Sequence, residues 1–172
     1  IRTLDQVMQV LDYALAEALP MENSIKRGRL IVAIAHAFIE AIKGPANDYS
    51  GATKIPPAVF AAIGASESNY GRAPSIFGIK GVGSAGGANL ATHEVYSGQK
   101  VNINDQFAAY NNLDDAFNHF IDLTSHGRYA NSWNELQRTG DWEGFLRGIT
   151  AAGYATDKNW PASIIALTRD IE

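Results

Sequence analysis

Apolar residues recur at helical spacing toward both ends of this chain, and between Gly71 and Leu90 that period stops in a glycine-dense stretch. Such a pattern predicts helices grouped around a surface loop, and long glycine loops are commonly functional. Leu4, Val7, Met8, Leu11, Leu15, Ala18 and Leu19 predict a helix over Thr3–Leu19, with Thr3 and Gln6 as a capping box and Pro20 as its end. A second helix is predicted over Ser24–Lys43, apolar nearly all round and stopped by Gly44 and Pro45. It reads as the central core helix, with His36 as a packed histidine bonded to backbone. Residues Ala46–Lys54 read as a loop, and Pro56 and Pro57 open a helix running to about Ser68. Beyond the glycines, Ala91–Tyr96 and Lys100–Tyr110 carry β-branched and aromatic residues around Ser97, Gly98 and Gln99, a hairpin pattern. Three more helices close the chain: Asn112–Ser125, Asp141–Ala152 stopped by Gly153, and Asn159–Ile171 with Pro161 in its first turn.

The expected fold is therefore α+β, mostly helical with one small hairpin, in a single domain over residues 1–172. Hydrophobic residues make up 46% of the chain and charged residues 19%, the proportions of a compact globule. With 14 basic and 18 acidic residues the formal charge is −4, too acidic for a phosphate backbone to supply the main binding energy, so nucleic acid is excluded as the partner. Absence of cysteine removes a disulfide framework, a thiolate zinc site and a cysteine nucleophile. The longest apolar run, Leu30–Ile39, is interrupted by His36 and falls short of the ~18 residues that span a bilayer, so no membrane insertion is expected. Nor does a basic stretch lead into an apolar segment at Ile1, and no export signal is expected in the chain as it stands.

Between Lys54 and Asp105 the only carboxylates are Glu67 and Glu94. Glu67 falls four residues after Ile63 and seven after Phe60, on the apolar face of its predicted helix. Desolvation there raises a carboxyl pKa, the condition for a general acid near neutral pH; an ion pair with Arg72 is the structural alternative. Glu94 lies on the hairpin. A helix-borne acid facing a carboxylate on a small sheet suits glycoside hydrolysis, although a solvated strand residue would have the same spacing.

Gly81-Val82-Gly83-Ser84-Ala85-Gly86 matches GxGxxG, but no helical period follows to lay an N-terminus on a pyrophosphate. Gly64-Ala65-Ser66-Glu67-Ser68 lacks the last glycine of a nucleophile elbow. His36, His93, His119 and His126 form no HExxH or i,i+4 pair, so no metal is indicated. Phe117 and Phe120 read as core. Tyr70, Tyr110 and Tyr154 flank loops, where they either line a sugar-binding groove or pack at an interface with a solvated hydroxyl.

Four blocks carry a family resemblance: Ala65-Ser66-Glu67-Ser68-Asn69-Tyr70-Gly71, Ile76-Phe77-Gly78-Ile79-Lys80-Gly81, Arg128-Tyr129-Ala130 and Ala152-Gly153-Tyr154-Ala155-Thr156-Asp157. Over residues 55–171 the chain resembles the peptidoglycan glucosaminidases of glycoside hydrolase family 73, of flagellar and phage type. It departs from their pattern at Ser75-Ile76 and lacks the tryptophan expected after the lysine block. The resemblance implies a lysozyme-like fold with a cleft between helices and hairpin. It also implies Glu67 as general acid, Glu94 after Thr92 as the second catalytic carboxylate, and Phe107 and Tyr110 as substrate-positioning residues at the end of the hairpin. Tyr70, Phe77, Tyr110 and Tyr154 are the expected substrate-binding residues, and no cofactor is expected. The implied reaction is hydrolysis of the β-1,4 bond after N-acetylglucosamine in peptidoglycan, by a protein that is secreted, periplasmic, wall-associated or part of a phage virion. Alternatives are a muramidase or lytic transglycosylase, or a non-catalytic glycan-binding or virion module. Residues 1–50 read as a helical extension that completes the core or docks onto a larger cell-wall or virion assembly.

Overall fold

In the computed structural model, residues 24–172 are described, and the helix expected over Thr3–Leu19 lies outside them. Among the described residues six helices and one two-stranded antiparallel sheet follow in the order α1 Ser24–Thr53, α2 Pro57–Ser68, β1 Gly87–Tyr96, β2 Gln99–Ala108, α3 Leu113–Ser125, a 3-10 turn Gly127–Tyr129, α4 Ala130–Thr139, α5 Trp142–Ala151 and α6 Trp160–Ile171. This is the expected mostly helical α+β architecture.

The central helix is α2 and not α1. Its residues from Val59 to Ala65 are buried without interruption, between α1 on one side and α6 on another. Close approach there requires Gly64: a Cβ at that position would lie 2.9 Å from Ile42 Cδ1 and 3.2 Å from Phe38 Cζ. By contrast Ile31, Val32 and His36 on α1 are exposed, so His36 is not a packed core histidine.

Helix α1 also runs through Gly44 and Pro45 to Thr53, replacing the loop expected over Ala46–Lys54. A proline inside a helix costs about 3 kcal/mol through a lost hydrogen bond and a clash with the preceding turn. Offsetting it, Phe38, Ile42, Ala46 and Thr53 are buried on one face, and the Tyr49 ring stacks on Phe117 at 5.0 Å. Burying each large apolar side chain contributes roughly 1.5–3 kcal/mol, so packing along that face outweighs the proline. The end of the helical extension, expected near residue 50, thus falls inside a helix whose second half belongs to the core. Over Arg27–Thr53 this helix is long and apolar enough to cross a membrane by length and composition, which counting uninterrupted apolar runs did not reveal. Its buried face packs within the protein, against α2 and α3.

Four phenylalanines from three parts of the chain meet at the centre. Phe60 of α2 lies 4.9 Å from Phe117 of α3, and Phe77 lies 4.9 Å from Phe120 and 5.0 Å from Phe117. Helix α3 forms as its sequence predicts: Asn112 caps it by accepting the Asp115 N–H at 2.8 Å, and Leu113, Ala116, Phe117, Phe120 and Thr124 make its buried stripe. Helix α4 was not expected from the sequence. Its large inward apolar residues are Leu136, which is buried, and Trp133, whose ring lies 6.2 Å from Phe145; two apolar residues set no detectable period.

The hairpin turn is the two-residue Ser97-Gly98, both at positive φ, a type I′ geometry, so Gln99 pairs with Tyr96 where a three-residue connection was expected. Strand β1 starts at Gly87, inside the expected loop. The GxGxxG segment leads straight into this strand, with Gly83 and Gly86 bridged to each other, as its lack of a helical period predicts.

We expect Gly64→Leu to destabilise the fold by about 1–3 kcal/mol through overpacking between α1 and α2. Gly51→Ala on α1, with nothing within 4 Å of the added methyl, should be neutral or stabilise by about 0.5 kcal/mol. Denaturant midpoints of the two variants check the difference.

Candidate active site

Glu67 sits in the last turn of α2, one residue before the helix ends. The chain then reverses through Asn69, Tyr70 and Gly71, all at positive φ, tied down by Ser68 Oγ, which donates to Gly64 O at 2.5 Å and accepts the Gly71 N–H at 2.7 Å. Left-handed backbone at Asn69 and Tyr70 costs energy that a well-packed surrounding must offset. The turn brings the Ser75–Lys80 segment back beneath Glu67. There Gly78, at φ +64, faces the carboxyl: a Cβ on it would overlap Glu67 Oε2 and lie 3.0 Å from the carboxyl carbon.

The partner of Glu67 is Trp160, not Arg72. The indole Nε1–H of Trp160, in the first turn of α6, donates to Glu67 Oε1 at 2.6 Å. Burial pushes the Glu67 carboxyl up to about 7; the indole hydrogen bond pulls it down, and the negative charge of Glu94 adds to the rise. A protonated Glu67 is therefore available near neutral pH. Since Oε1 accepts from the indole, the acidic proton belongs on Oε2, toward the space that Gly78 leaves open.

Glu94 has the opposite environment. It lies on the inward face of β1, where burial alternates along the strand, in line with Leu90 and Thr92. Lys80 Nζ reaches Glu94 Oε1 at 2.6 Å and Asp105 Oδ2 on β2 at 2.7 Å, so one ammonium bridges both strands. Thr156, from the loop between α5 and α6, donates to Glu94 Oε2 at 2.5 Å and accepts the Val95 N–H at 3.1 Å. Burial pushes the Glu94 carboxyl up, but the hydrogen bonds from Lys80 and Thr156 outweigh it, and the net shift is downward. Lys80 is positioned by backbone pairing, since Ile79 and Gly81 bond the outer edge of β2 at Ala108 and Gln106.

Each carboxyl lines a cavity of its own, and the two cavities meet at Gly78 and together form the cleft. One stretch, a cavity of about 170 Å³, is lined by Glu67, Gly78, Leu90, Thr92 and Phe107. The next, of about 240 Å³, is lined by Gly78, Lys80, Glu94, Arg128, Tyr154 and Thr156. Gly78 is common to both.

Of the aromatic residues expected to contact substrate, Tyr154 and Phe107 line this cleft. Tyr154 donates its hydroxyl to Phe77 O. Phe77 itself is fully buried in the core, so its ring does not reach the cleft. Tyr110 is also buried, its hydroxyl 2.8 Å from His119 Nδ1, and Tyr70 packs edge-on against Phe38 of α1 at 6.2 Å. Phe77 and Tyr110 serve packing because the core takes them in, whereas Tyr70 is half-buried and lines neither of these two cavities. Trp160, Lys80 and Thr156 were not singled out by sequence reasoning. Thr156 and Lys80 lie within recognised blocks, whereas Trp160 follows the last block and is marked only by its place at a helix start. Among the described residues no cluster of three or more histidine or acidic side chains is placed to hold a metal ion.

Lys80→Met should raise the Glu94 pKa above the ordinary glutamate range, because burial and the Asp105 charge remain while the ammonium is lost. Carboxyl-carbon NMR titration checks this, and an unmoved Glu94 would contradict the network.

A family model described as mannosyl-glycoprotein endo-beta-N-acetylglucosaminidase matches residues 43–172. The peptidoglycan hydrolase FlgJ of Vibrio parahaemolyticus is 29% identical over 148 residues, 79% of this chain and 47% of that protein. A probable N-acetylmuramidase of Lactococcus lactis is 29% identical over 141 residues, covering 74% of this chain and 31% of that protein. The chain thus spans less than half the length of these relatives. The crystal structure of a peptidoglycan hydrolase mutant from Sphingomonas sp. A1 superposes with a TM-score of 0.64 at 25% identity, over 77% of this chain and 91% of that one. With the family match running from the second half of α1 to the last residue, this chain belongs to the glucosaminidase family.

Proposed function

We propose that this protein hydrolyses the β-1,4 glycosidic bond after N-acetylglucosamine in the glycan strand of peptidoglycan, acting at the cell wall. The observation that carries the reading is the contrast between the two cleft carboxyls: Glu67 raised to about 7 and Glu94 held below its ordinary value. Separated protonation states of this kind divide acid from base duties at one pH.

Glu67 donates its Oε2 proton to the leaving glycosidic oxygen, which lies in the space over Gly78. Trp160 keeps Oε1 fixed and takes up part of the charge that forms on the carboxylate. Glu94, ionised by Lys80 and Thr156, faces the anomeric carbon as positive charge develops there, stabilising it or activating the attacking water. Tyr154 and Phe107 offer the apolar and hydroxyl-bearing surface on which sugar rings rest. The single catalytic domain comprises residues 55–171 together with the second half of α1, whose Phe38, Ile42 and Ala46 share its core.

Both fold and family are compatible with cleavage at the other glycan bond, which the Lactococcus relative's description as a probable N-acetylmuramidase favours. Products decide between them. A glucosaminidase leaves N-acetylglucosamine at the new reducing end, a muramidase leaves N-acetylmuramic acid, and a transglycosylase leaves an anhydro-muramoyl end. Mass spectrometry of borohydride-reduced fragments from purified sacculi should show reduced N-acetylglucosamine; Glu67→Gln should fold normally and lose at least about a hundredfold in turnover.

The pH dependence has a definite sign. Glu67 must be protonated to act, so kcat/KM should fall about tenfold per pH unit as pH rises beyond about 7. Because the indole hydrogen bond lowers the Glu67 pKa, Trp160→Phe should move this limb to higher pH. A limb that stays put in that variant contradicts the Glu67 assignment.

A further inference from the structure

The Arg128-Tyr129-Ala130 block has no part in the chemistry of the two carboxyls. Arg128 lies in the 3-10 turn between α3 and α4, with its guanidinium carbon 5.0 Å from the centre of the buried Tyr129 ring. Its Nη1 would be 3.4 Å from a Cβ on Gly153, so the bare backbone there leaves the guanidinium room. The side chain lines the same stretch of cleft as Glu94, Lys80 and Tyr154.

Its charge is unusual for its surroundings. On the neighbouring helices Arg138 is paired with Glu135, and Arg147 and Arg169 share Glu143. Lys80, the other cation of this stretch, is held between Glu94 and Asp105. Arg128 has no carboxylate within ion-pair distance among the described residues. A guanidinium resting against a fixed ring, with its fork free and turned into a groove, is prepared for a planar anionic group.

We propose that Arg128 binds a carboxylate of the glycan substrate and so sets a preference for anionic, muramyl-containing strands over neutral amino-sugar polymers. This rests on the peptidoglycan reading above. N-acetylglucosamine is neutral, so the carboxylate must come from the muramyl unit: from the attached peptide, where the lactyl carboxyl is tied up in an amide bond, or from the lactyl group of a unit that carries no peptide. Arg128 is a specificity-determining residue, remote from proton transfer, and its loss affects binding more than turnover.

The test pairs enzyme variants with substrate charge. Reducing-end release is followed on purified sacculi, either native or with their carboxyls converted to neutral methylamides. For the wild type, neutralising the wall should raise the apparent KM about fivefold, the scale of a partly exposed arginine–carboxylate contact. Arg128→Gln should show that raised KM on native walls, with kcat within about twofold, and should be indifferent to neutralisation; Arg128→Lys should lie between. Repeating the wild-type comparison on walls stripped of peptide by an amidase, which frees the lactyl carboxyls, separates the sources: discrimination that persists shows that Arg128 accepts a free lactyl carboxylate, and discrimination that vanishes identifies the peptide. A wild type that cuts native and neutralised walls equally well overturns the assignment without any variant, as does an equal loss by Arg128→Gln on both walls. A wild type that releases no reducing ends from either wall instead overturns the peptidoglycan reading itself.

Discussion

Four buried phenylalanine rings hold the geometry on which the rest of this molecule depends. Phe60, Phe77, Phe117 and Phe120 lock α2, the Ser75–Lys80 segment and α3 together at ring separations of 4.9–6.3 Å. The aromatic contacts do not stop at the core. Tyr154 meets Phe120 at 5.9 Å and Trp160 at 5.3 Å, and Trp160 in turn holds Glu67. Dense packing transmits small displacements, so a change in the phenylalanine cluster reaches the carboxyl through two rings.

The two carboxyls owe their different character to what surrounds them, since both are glutamates. Glu67 projects from the end of a helix that is buried almost all round, where a charge loses hydration and gains a single N–H donor. Glu94 sits on a sheet face with an ammonium on one oxygen and a hydroxyl on the other. A two-stranded hairpin alone is at best marginally stable in water. Here it is tied to the helical body at two points, through the pairing of Ile79 and Gly81 with β2 and through Thr156 against Val95 and Glu94. The ties that stabilise the hairpin are therefore also those that position and ionise Glu94.

Arg128 extends this arrangement in a different sense. Most arginines of the C-terminal helices are occupied by carboxylates of their own or the next helix, which leaves them little to offer a ligand. The one resting on Tyr129 lines the cavity that also holds Glu94 and Lys80, and no carboxylate among the described residues occupies its guanidinium.

Local chemistry made much of this legible from the residues alone. The Pro56-Pro57 start of α2, the helix beginning at Asn112 and the presence of a hairpin around Ser97 and Gly98 are short-range effects, which depend on a few neighbouring side chains. The placing of Glu67 on an apolar helix face and its isolation with Glu94 were visible for the same reason. What lay beyond reach were outcomes of long-range packing. Pro45 reads locally as a stop, yet a buried face continuing from Ile42 through Ala46 to Thr53 carries α1 past it. Phe77 and Tyr110 look like groove residues in the sequence, and only the packing around the phenylalanine cluster and α3 turns them inward. Trp160, distant from Glu67 along the chain, becomes its hydrogen-bond partner because α6 packs against α2. Sequence alone determined which residue types and which local elements were available; the tertiary structure decided which side chains meet, because desolvation and hydrogen-bond geometry depend on contacts between segments far apart in the chain.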